Sequence, residues 1–411
     1  MGLMAFYLGV IVLACTRRAG ARWIVAGVLF AGVWTWANVT IDMVQLRQFA
    51  GEPWVRLVVI MSTVAAVALI ASVLTVWKGE RFYLKDRDRG GFQAALFLLT
   101  VALLFFTRLK VPFPILLVDR YLPGWGGLEV FGLGVYAAWI GTLMFEPRGS
   151  LKIRPRIWAF FSLVFFTQLG LGLLGLDRML MTGALHLPVP ALILGGPIFR
   201  GGGFFMLILY ASTLLLVGPA WCSHLCYIGA WDDQGARLAG RKPRQGFPGP
   251  KMWGRALTLG LTVLTAIGLR LAGVPGLTAV WIAAGFGLVG VAIMVTLSRR
   301  TGIMAHCTTY CPMGLVSNLL GKINPWRIRL SSECTNCGTC AKFCRYGALD
   351  EFSILERRPG MSCTLCGDCV SICPHSAAEY RFPGLTAQGA RLAFLIVTIS
   401  LHAVFLGVAR I

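Results

Sequence analysis

Residues 55–77 read VRLVVIMSTVAAVALIASVLTVW, a continuous apolar run with a single charged residue, Arg56. About 20 such residues are enough to cross the hydrocarbon core of a bilayer as a helix. Working outward from this run, the same criterion predicts ten spans, at residues 1–16, 23–43, 55–77, 91–107, 126–145, 157–176, 203–220, 257–272, 277–297 and 392–408. The sequence therefore predicts a polytopic, all-α membrane protein.

The composition agrees with this prediction and excludes a soluble enzyme. Of the 411 residues, 57% are hydrophobic and 13% are charged, whereas soluble domains carry about 25% charged residues. The mean hydropathy is +0.73. So few charges could not cover the surfaces of several soluble domains, and the 49 glycines suit helices that approach one another closely in a membrane.

The basic residues predict the orientation of the chain. The net charge is +21, yet if all ten stretches span, 29 of the 38 Lys and Arg residues fall in loops on one side and 9 on the other. The positive-inside rule places the richer side in the cytoplasm and both termini outside. The charge is thereby explained without a nucleic-acid partner. The first span is interpreted as a retained helix, because no basic segment precedes it as in a signal peptide.

Two cysteine runs carry the most specific motif, CTNCGTCAKFC at residues 334–344 and CTLCGDCVSICP at residues 363–374. Each has the C-x2-C-x2-C-x3-C spacing of two-cluster ferredoxins, in which the fourth Cys of each run ligates the other cluster. This predicts one [4Fe–4S] cluster on Cys334, Cys337, Cys340 and Cys373, and a second on Cys363, Cys366, Cys369 and Cys344. A pair of structural zinc sites is the alternative. Arg345 stands where proline usually follows the fourth Cys, as Pro374 does in the second run.

Two further pairs of cysteines follow predicted spans, in WCSHLCYIG (Cys222 and Cys226) and HCTTYCPMG (Cys307 and Cys311). On a helix, C-x3-C places both sulfurs on one face. One helical hairpin separates the pairs, so both return to the cytoplasmic edge. We expect a single site there that holds a metal or a third cluster, with His224 and His306 as alternative ligands. A redox-active dithiol or disulfide and inert packing are the other interpretations.

The order and spacing of these motifs resemble the polyferredoxin-type membrane proteins related to NapH, MauN, CcoG and the membrane portion of NosR. The resemblance covers roughly residues 203–383, and Pro312 keeps the family proline whereas Tyr227 replaces it in the first pair. It implies a quinol-linked electron carrier or reductase in the bacterial cytoplasmic membrane, with an α+β two-cluster ferredoxin-like domain facing the cytoplasm. The expected regions are N-terminal helices (1–200), helices bearing the C-x3-C pairs (201–330), the ferredoxin-like domain (331–383) and a last helix (384–411).

The predicted function is electron relay between the membrane quinone pool and a partner redox protein. A maturation or metal-handling factor for a metalloenzyme, or an electron-transfer subunit of a larger complex, are the alternatives. Haem is not expected, since His402 is the only histidine within a predicted span. Residues 181–188, MTGALHLP, are similar to a flavin-attachment motif, but Leu185 replaces the hydroxyl residue and covalent FMN is not expected. No catalytic residue can be assigned.

Overall fold

A computed structural model of the protein describes residues 21–77, 87–180, 187–240, 243 and 252–408. Within these residues, nine helices are long and apolar enough to cross a membrane. They correspond to nine of the ten predicted spans, so the chain is a multi-pass membrane protein. The first predicted span, with Cys15, lies outside the described residues.

The seventeen helices and strands used below are bounded as follows. The helices are α1 (Ala21–Phe49), α2 (Val55–Trp77), α3 (Arg87–Lys110), α4 (Leu117–Tyr121), α5 (Gly126–Met144), α6 (Pro147–Leu173), α7 (Leu192–Arg200), α8 (Phe205–Val217), α9 (Tyr227–Leu238), α10 (Met252–Leu271), α11 (Gly276–Ile293), α12 (Pro312–Leu320), α13 (Glu351–Leu355) and α14 (Asp368–Ile372). The strands are β1 (Arg327–Leu330) and β2 (Ala378–Arg381). A last helix, α15 (Ala387–Val408), ends the described chain.

The chain divides into two compact units, residues 1–91 and 92–411. In the first, α1 packs along α2, and the hydroxyl of Ser72 donates a hydrogen bond to the Ala26 carbonyl at 3.0 Å. In the second, α15 packs against α5 and α6. The second unit contains all twelve cysteines of the predicted sites.

Helix α6 begins ten residues before the predicted span and includes four basic residues in its first turns. Pro147 starts it at a position where a proline costs no hydrogen bond. The sequence places Arg154 in a loop, but the structure places it inside the helix, only 1% exposed. Its charge is compensated by carboxylates from elsewhere in the chain, which apolarity along the sequence cannot reveal.

The segment that contains both cysteine runs, residues 331–383, is hereafter called the cysteine-rich segment. It is closed by a two-stranded antiparallel sheet, in which Arg327 of β1 pairs with Arg381 of β2 and Leu330 pairs with Ala378. The residues between these strands contain the short helices α13 and α14. The ring of Tyr380 stacks on that of Phe394 in α15, with centroids 4.7 Å apart. The core of this segment therefore continues directly into a membrane helix, and its cytoplasmic location stays a prediction.

Candidate functional site

The first predicted ligand set lies around one cavity at the surface of the cysteine-rich segment. Cys334, Cys337, Cys340 and Cys373 all line it, and its volume is about 310 Å³ including space open to solvent. Cys337 is exposed, and its thiol hydrogen-bonds to the Thr339 hydroxyl at 3.4 Å, which lowers its pKa. The structure thus brings the fourth Cys of the second run, Cys373, to the first three of the other run.

The second predicted set, Cys363, Cys366, Cys369 and Cys344, lies deeper. Burial raises the pKa of Cys369 well above its usual range, and neighbouring Cys366, Cys363 and Cys344 raise it further. Burial also raises the pKa of Cys363 to about 12. The amide of Ala348 donates to Cys344 Sγ at 3.3 Å. Cys344 therefore lies with the three cysteines of the other run, as the crossed arrangement requires.

Both cysteine runs share one backbone conformation. Two residues after the first Cys, Asn336 and Leu365 adopt left-handed φ values of 56° and 55°. The glycines two residues later, Gly338 and Gly367, also have positive φ, at 70° and 80°. Such angles are costly for Leu365 and easy for glycine. A strained non-glycine residue at matching positions indicates that both loops wrap their thiols in the same way.

The four cysteines of the C-x3-C pairs, hereafter the tetrad, surround a second cavity. Cys222, Cys226, Cys307 and Cys311 line it, and its volume is about 370 Å³ including space open to solvent. Burial raises the pKa of Cys226, Cys307 and Cys311. Nearby tetrad thiols raise the pKa of Cys226 and Cys307 further. Four buried thiols become thiolates together only when a cation compensates their charge.

The tetrad pairs do not lie on continuous α-helices, contrary to the expectation from their spacing. Each first Cys lies in a π turn, Trp221–Leu225 or His306–Tyr310. Each second Cys is extended, and its amide donates to the carbonyl five residues back, that of Trp221 for Cys226 and that of His306 for Cys311. The second Cys is then the N-cap of a new helix, α9 or α12. Proline at N1 ends the preceding helix in one motif, and Tyr227 takes the same position in the other.

Each tetrad motif also has a glycine three residues after its second Cys. The amide of Gly229 donates to Cys226 Sγ at 3.4 Å, and the amide of Gly314 likewise approaches Cys311. A Cβ at Gly229 would lie 2.8 Å from the Cys222 carbonyl oxygen, and one at Gly314 would lie 2.9 Å from that of Cys307. Only glycine permits this approach without displacement. The free amides at a helix start favour a thiolate.

Asp232 holds the second tetrad motif, that of Cys307 and Cys311, in place. Its carboxylate accepts hydrogen bonds from the Cys307 amide at 2.9 Å and from the Ser298 hydroxyl at 2.5 Å. Ser298 in turn accepts one from the Ala305 amide at 3.0 Å. Burial raises the pKa of Asp232 to about 6. No sequence motif marks this carboxylate, which reaches Cys307 from α9.

Three of the polar residues that line the tetrad cavity have side-chain atoms without a partner. Arg255 of α10 is 2% exposed, and Ser362 and Thr364 are 3% and 4% exposed. Arg255 Nε and both hydroxyl oxygens lack a hydrogen-bond partner within the protein. Such orphaned donors in a buried cavity are expected where a bound group accepts their hydrogen bonds. Sequence patterns did not reveal these residues because they lie far from the tetrad motifs along the chain.

Buried ion pairs fasten the cysteine-rich segment to the membrane helices. Arg154 of α6 donates to Asp368, which lies between two cysteines of the second run, at 2.9 Å and 3.2 Å. Arg154 also lies 3.8 Å from Asp233 and donates to the Ser223 carbonyl at 3.1 Å. Arg237 bridges the two carboxylates. The second cysteine set is thus held directly against α6 and α9.

The histidines do not take the ligand roles considered for them. Neither His224 nor His306 lines the tetrad cavity. His224 Nδ1 lies 3.0 Å from the Ser223 hydroxyl, and the ring of His306 packs against Gly290 of α11. His402 hydrogen-bonds to the Tyr136 hydroxyl at 3.1 Å. Most of the flavin-like motif, residues 181–186, lies outside the described residues.

The donor sets suit clusters better than single ions. Among the described residues, no group of three or more His, Cys, Asp or Glu side chains is spaced to hold one metal ion. The thiols of the first set and those of the tetrad instead line two separate cavities, four to each. All-sulfur sets of four are the ligands of iron–sulfur clusters. The residues present therefore fit such clusters.

Comparison with known families points to the same chemistry. A family described as a 4Fe-4S binding domain matches residues 199–245 and 282–331. No curated protein and no solved structure matches the chain. The matched residues contain all four tetrad cysteines and precede the two ferredoxin-type runs. The chain thus carries a region similar to 4Fe-4S binding domains within a multi-pass membrane protein, which supports iron–sulfur electron transfer.

Proposed function

We propose that this protein relays electrons between quinone dissolved in the bilayer and a partner redox protein. The observation that supports this proposal is the spatial order of the three cysteine sets, in which the second set lies between the tetrad and the first set. The tetrad cavity is lined by Ser362 and Thr364, which flank Cys363 of the second set, and by Tyr346, two residues after Cys344. Cys340 of the first set acts electrostatically on Cys369 of the second. The first set ends at the exposed Cys337.

The chain's own residues would hold and separate the redox groups in this proposal. The tetrad would hold one iron–sulfur cluster, and the crossed sets would hold two [4Fe–4S] clusters. Bound clusters supply one-electron transfer, which divides the two electrons that a quinol loses with its two protons. The tetrad and the second set are less exposed than Cys337, whose loop offers a place for a partner. The basic residues support a cytoplasmic location for this loop, at the bacterial inner membrane.

The decisive experiment is anaerobic purification followed by iron and sulfide analysis and EPR. We expect the iron content of three clusters in the wild type. Changing the tetrad to serine should remove the iron of one cluster and leave the EPR signals of the ferredoxin pair. Reduction of the remaining clusters by a quinol analogue should then slow, because the centre next to the membrane is lost. Unchanged iron and unchanged reduction would refute the role of the tetrad.

The same preparation tests the metal-handling function. Soft thiolates also bind Cu(I), so the tetrad chemistry favours copper as the alternative cargo. Stoichiometric copper that disappears in the tetrad variant, with the iron content of two clusters in both proteins, would replace quinone-linked relay by metal handling. Copper-free protein with tetrad-dependent iron supports the relay.

A further inference from the structure

Arg255 is a buried cation without a carboxylate partner among the described residues. One guanidinium nitrogen, Nη1, donates to Asn318 Oδ1 at 3.1 Å, and Nε has no partner. The groups that act on it electrostatically are the thiols of Cys222, Cys311 and Cys307. An isolated buried charge is strongly unfavourable, so the arginine requires an anion in the tetrad cavity.

Ser362 and Thr364 reach the same cavity from the cysteine-rich segment. They flank Cys363, a member of the second set, and their hydroxyls have no partner within the protein. Cys363, between them, does not line this cavity. Residues 362–364 therefore connect the tetrad cavity to the second set.

We propose that Arg255, Ser362 and Thr364 form the donor shell of the group held by the tetrad, with Arg255 as its counter-charge. The inference rests on the proposed function, because it takes that group to be a cluster ligated by four thiolates. Such a group is anionic and becomes more so on reduction. A fixed cation and hydroxyl donors beside it stabilise the reduced form and raise its reduction potential. These three are positioning residues, acting on the cluster through its charge.

The expected effect is a shift in the midpoint potential of the tetrad centre. Arg255→Gln should lower the equilibrium constant for its reduction about tenfold, which for one electron is a 59 mV lower potential. Arg255→Lys, which keeps the charge, should recover most of the shift. Ser362→Ala and Thr364→Val should each change the potential in the same direction by less, since a neutral donor is weaker than a cation.

The measurement is a potentiometric EPR titration of the purified full-length protein, with the tetrad signal identified as the one lost in the quadruple serine variant. Arg391→Gln is the matched control, because Arg391 is a buried arginine that donates to the Met144 and Phe145 carbonyls away from the cavity. Thr398→Val is the hydroxyl control, since Thr398 bonds within α15. Both should leave the tetrad potential unchanged.

Two outcomes decide the inference separately from the proposed function. If the wild type holds the iron of only two clusters and the tetrad variant matches it, the proposed function loses its third centre. If the tetrad centre is present but Arg255→Gln shifts its potential no more than Arg391→Gln, the donor shell is refuted alone. Should Arg255→Gln not assemble, the hydroxyl variants decide, and unchanged potentials in both overturn the inference.

Discussion

The buried pair between Arg154 and Asp368 offers the sharpest test of how the cysteine-rich segment is attached. The change is Asp368→Asn, which keeps the shape of the side chain and removes its charge. The two side chains are 1% and 7% exposed, and they meet through two hydrogen bonds. The change leaves Arg154 buried with only Asp233, at 3.8 Å, as a charged partner.

The magnitude follows from burial. Removing one partner of a buried ion pair costs about 3–5 kcal/mol, because the other charge stays uncompensated. Since Asp233 retains part of the compensation, we expect the lower end, about 3 kcal/mol. The exposed pair Arg358 and Glu356, at 2.7 Å with side chains 62% and 33% exposed, is a matched surface pair. Glu356→Gln should cost less than about 1 kcal/mol.

The assay is denaturation in SDS. Visible absorbance monitors loss of the proposed iron–sulfur clusters, and far-UV circular dichroism monitors loss of helical structure. A double-mutant cycle with Arg154→Met separates the pair from other losses. The double variant should be more stable than the sum of the single changes predicts, by about 2 kcal/mol, since it leaves no lone charge. Additive single effects, or a cost for Asp368→Asn equal to that for Glu356→Gln, would show that the pair does not fasten the segment.

Three further predictions concern ligation, topology and local geometry. Cys344→Ser should damage the cluster held by the second run and Cys373→Ser that of the first, seen as loss of distinct EPR signals; loss of each variant's own-run cluster would contradict crossed ligation. Reporter fusions after residue 242 should report cytoplasm and after residue 188 the outer side, and a cytoplasmic signal at 188 would overturn the topology. Gly314→Ala should lower tetrad iron at least several-fold while ferredoxin iron persists, because the methyl group would meet the Cys307 carbonyl; wild-type tetrad iron would refute that crowding.

The spans were predictable because bilayer thickness imposes a length and lipid imposes apolarity, and both are properties of one stretch of sequence. The start of α6 was not, because Arg154 is tolerated inside that helix through Asp368, 214 positions away, and through Asp233. A helix boundary predicted from apolarity is wrong where a charged residue inside the helix is neutralised by a tertiary contact. For the same reason the sequence does not reveal the role of Asp232, whose carboxylate accepts a hydrogen bond from the Cys307 amide.

The cysteine spacings predict crossed ligation in the cysteine-rich segment, because a short loop leaves few ways to surround one group. The thiols of each predicted set lie near one another, and their ligation stays a prediction. The spacings did not predict the π turns of the tetrad motifs, since i and i+4 spacing assumes an unbroken α-helix. In each motif the second Cys turns away from that helix and starts another. Arg255, Ser362 and Thr364 share no motif with the tetrad and meet it only in the folded chain.

One departure from the ferredoxin pattern gains a structural reason. Arg345 follows Cys344, where proline is usual, and its guanidinium donates to the carbonyls of Ala236 at 3.0 Å and Gly302 at 2.9 Å. Its own carbonyl accepts the Met304 amide at 2.9 Å. Proline could supply neither of these two hydrogen bonds. The arginine therefore ties the fourth Cys of the first run both to α9 and to the residues that lead into the second tetrad motif.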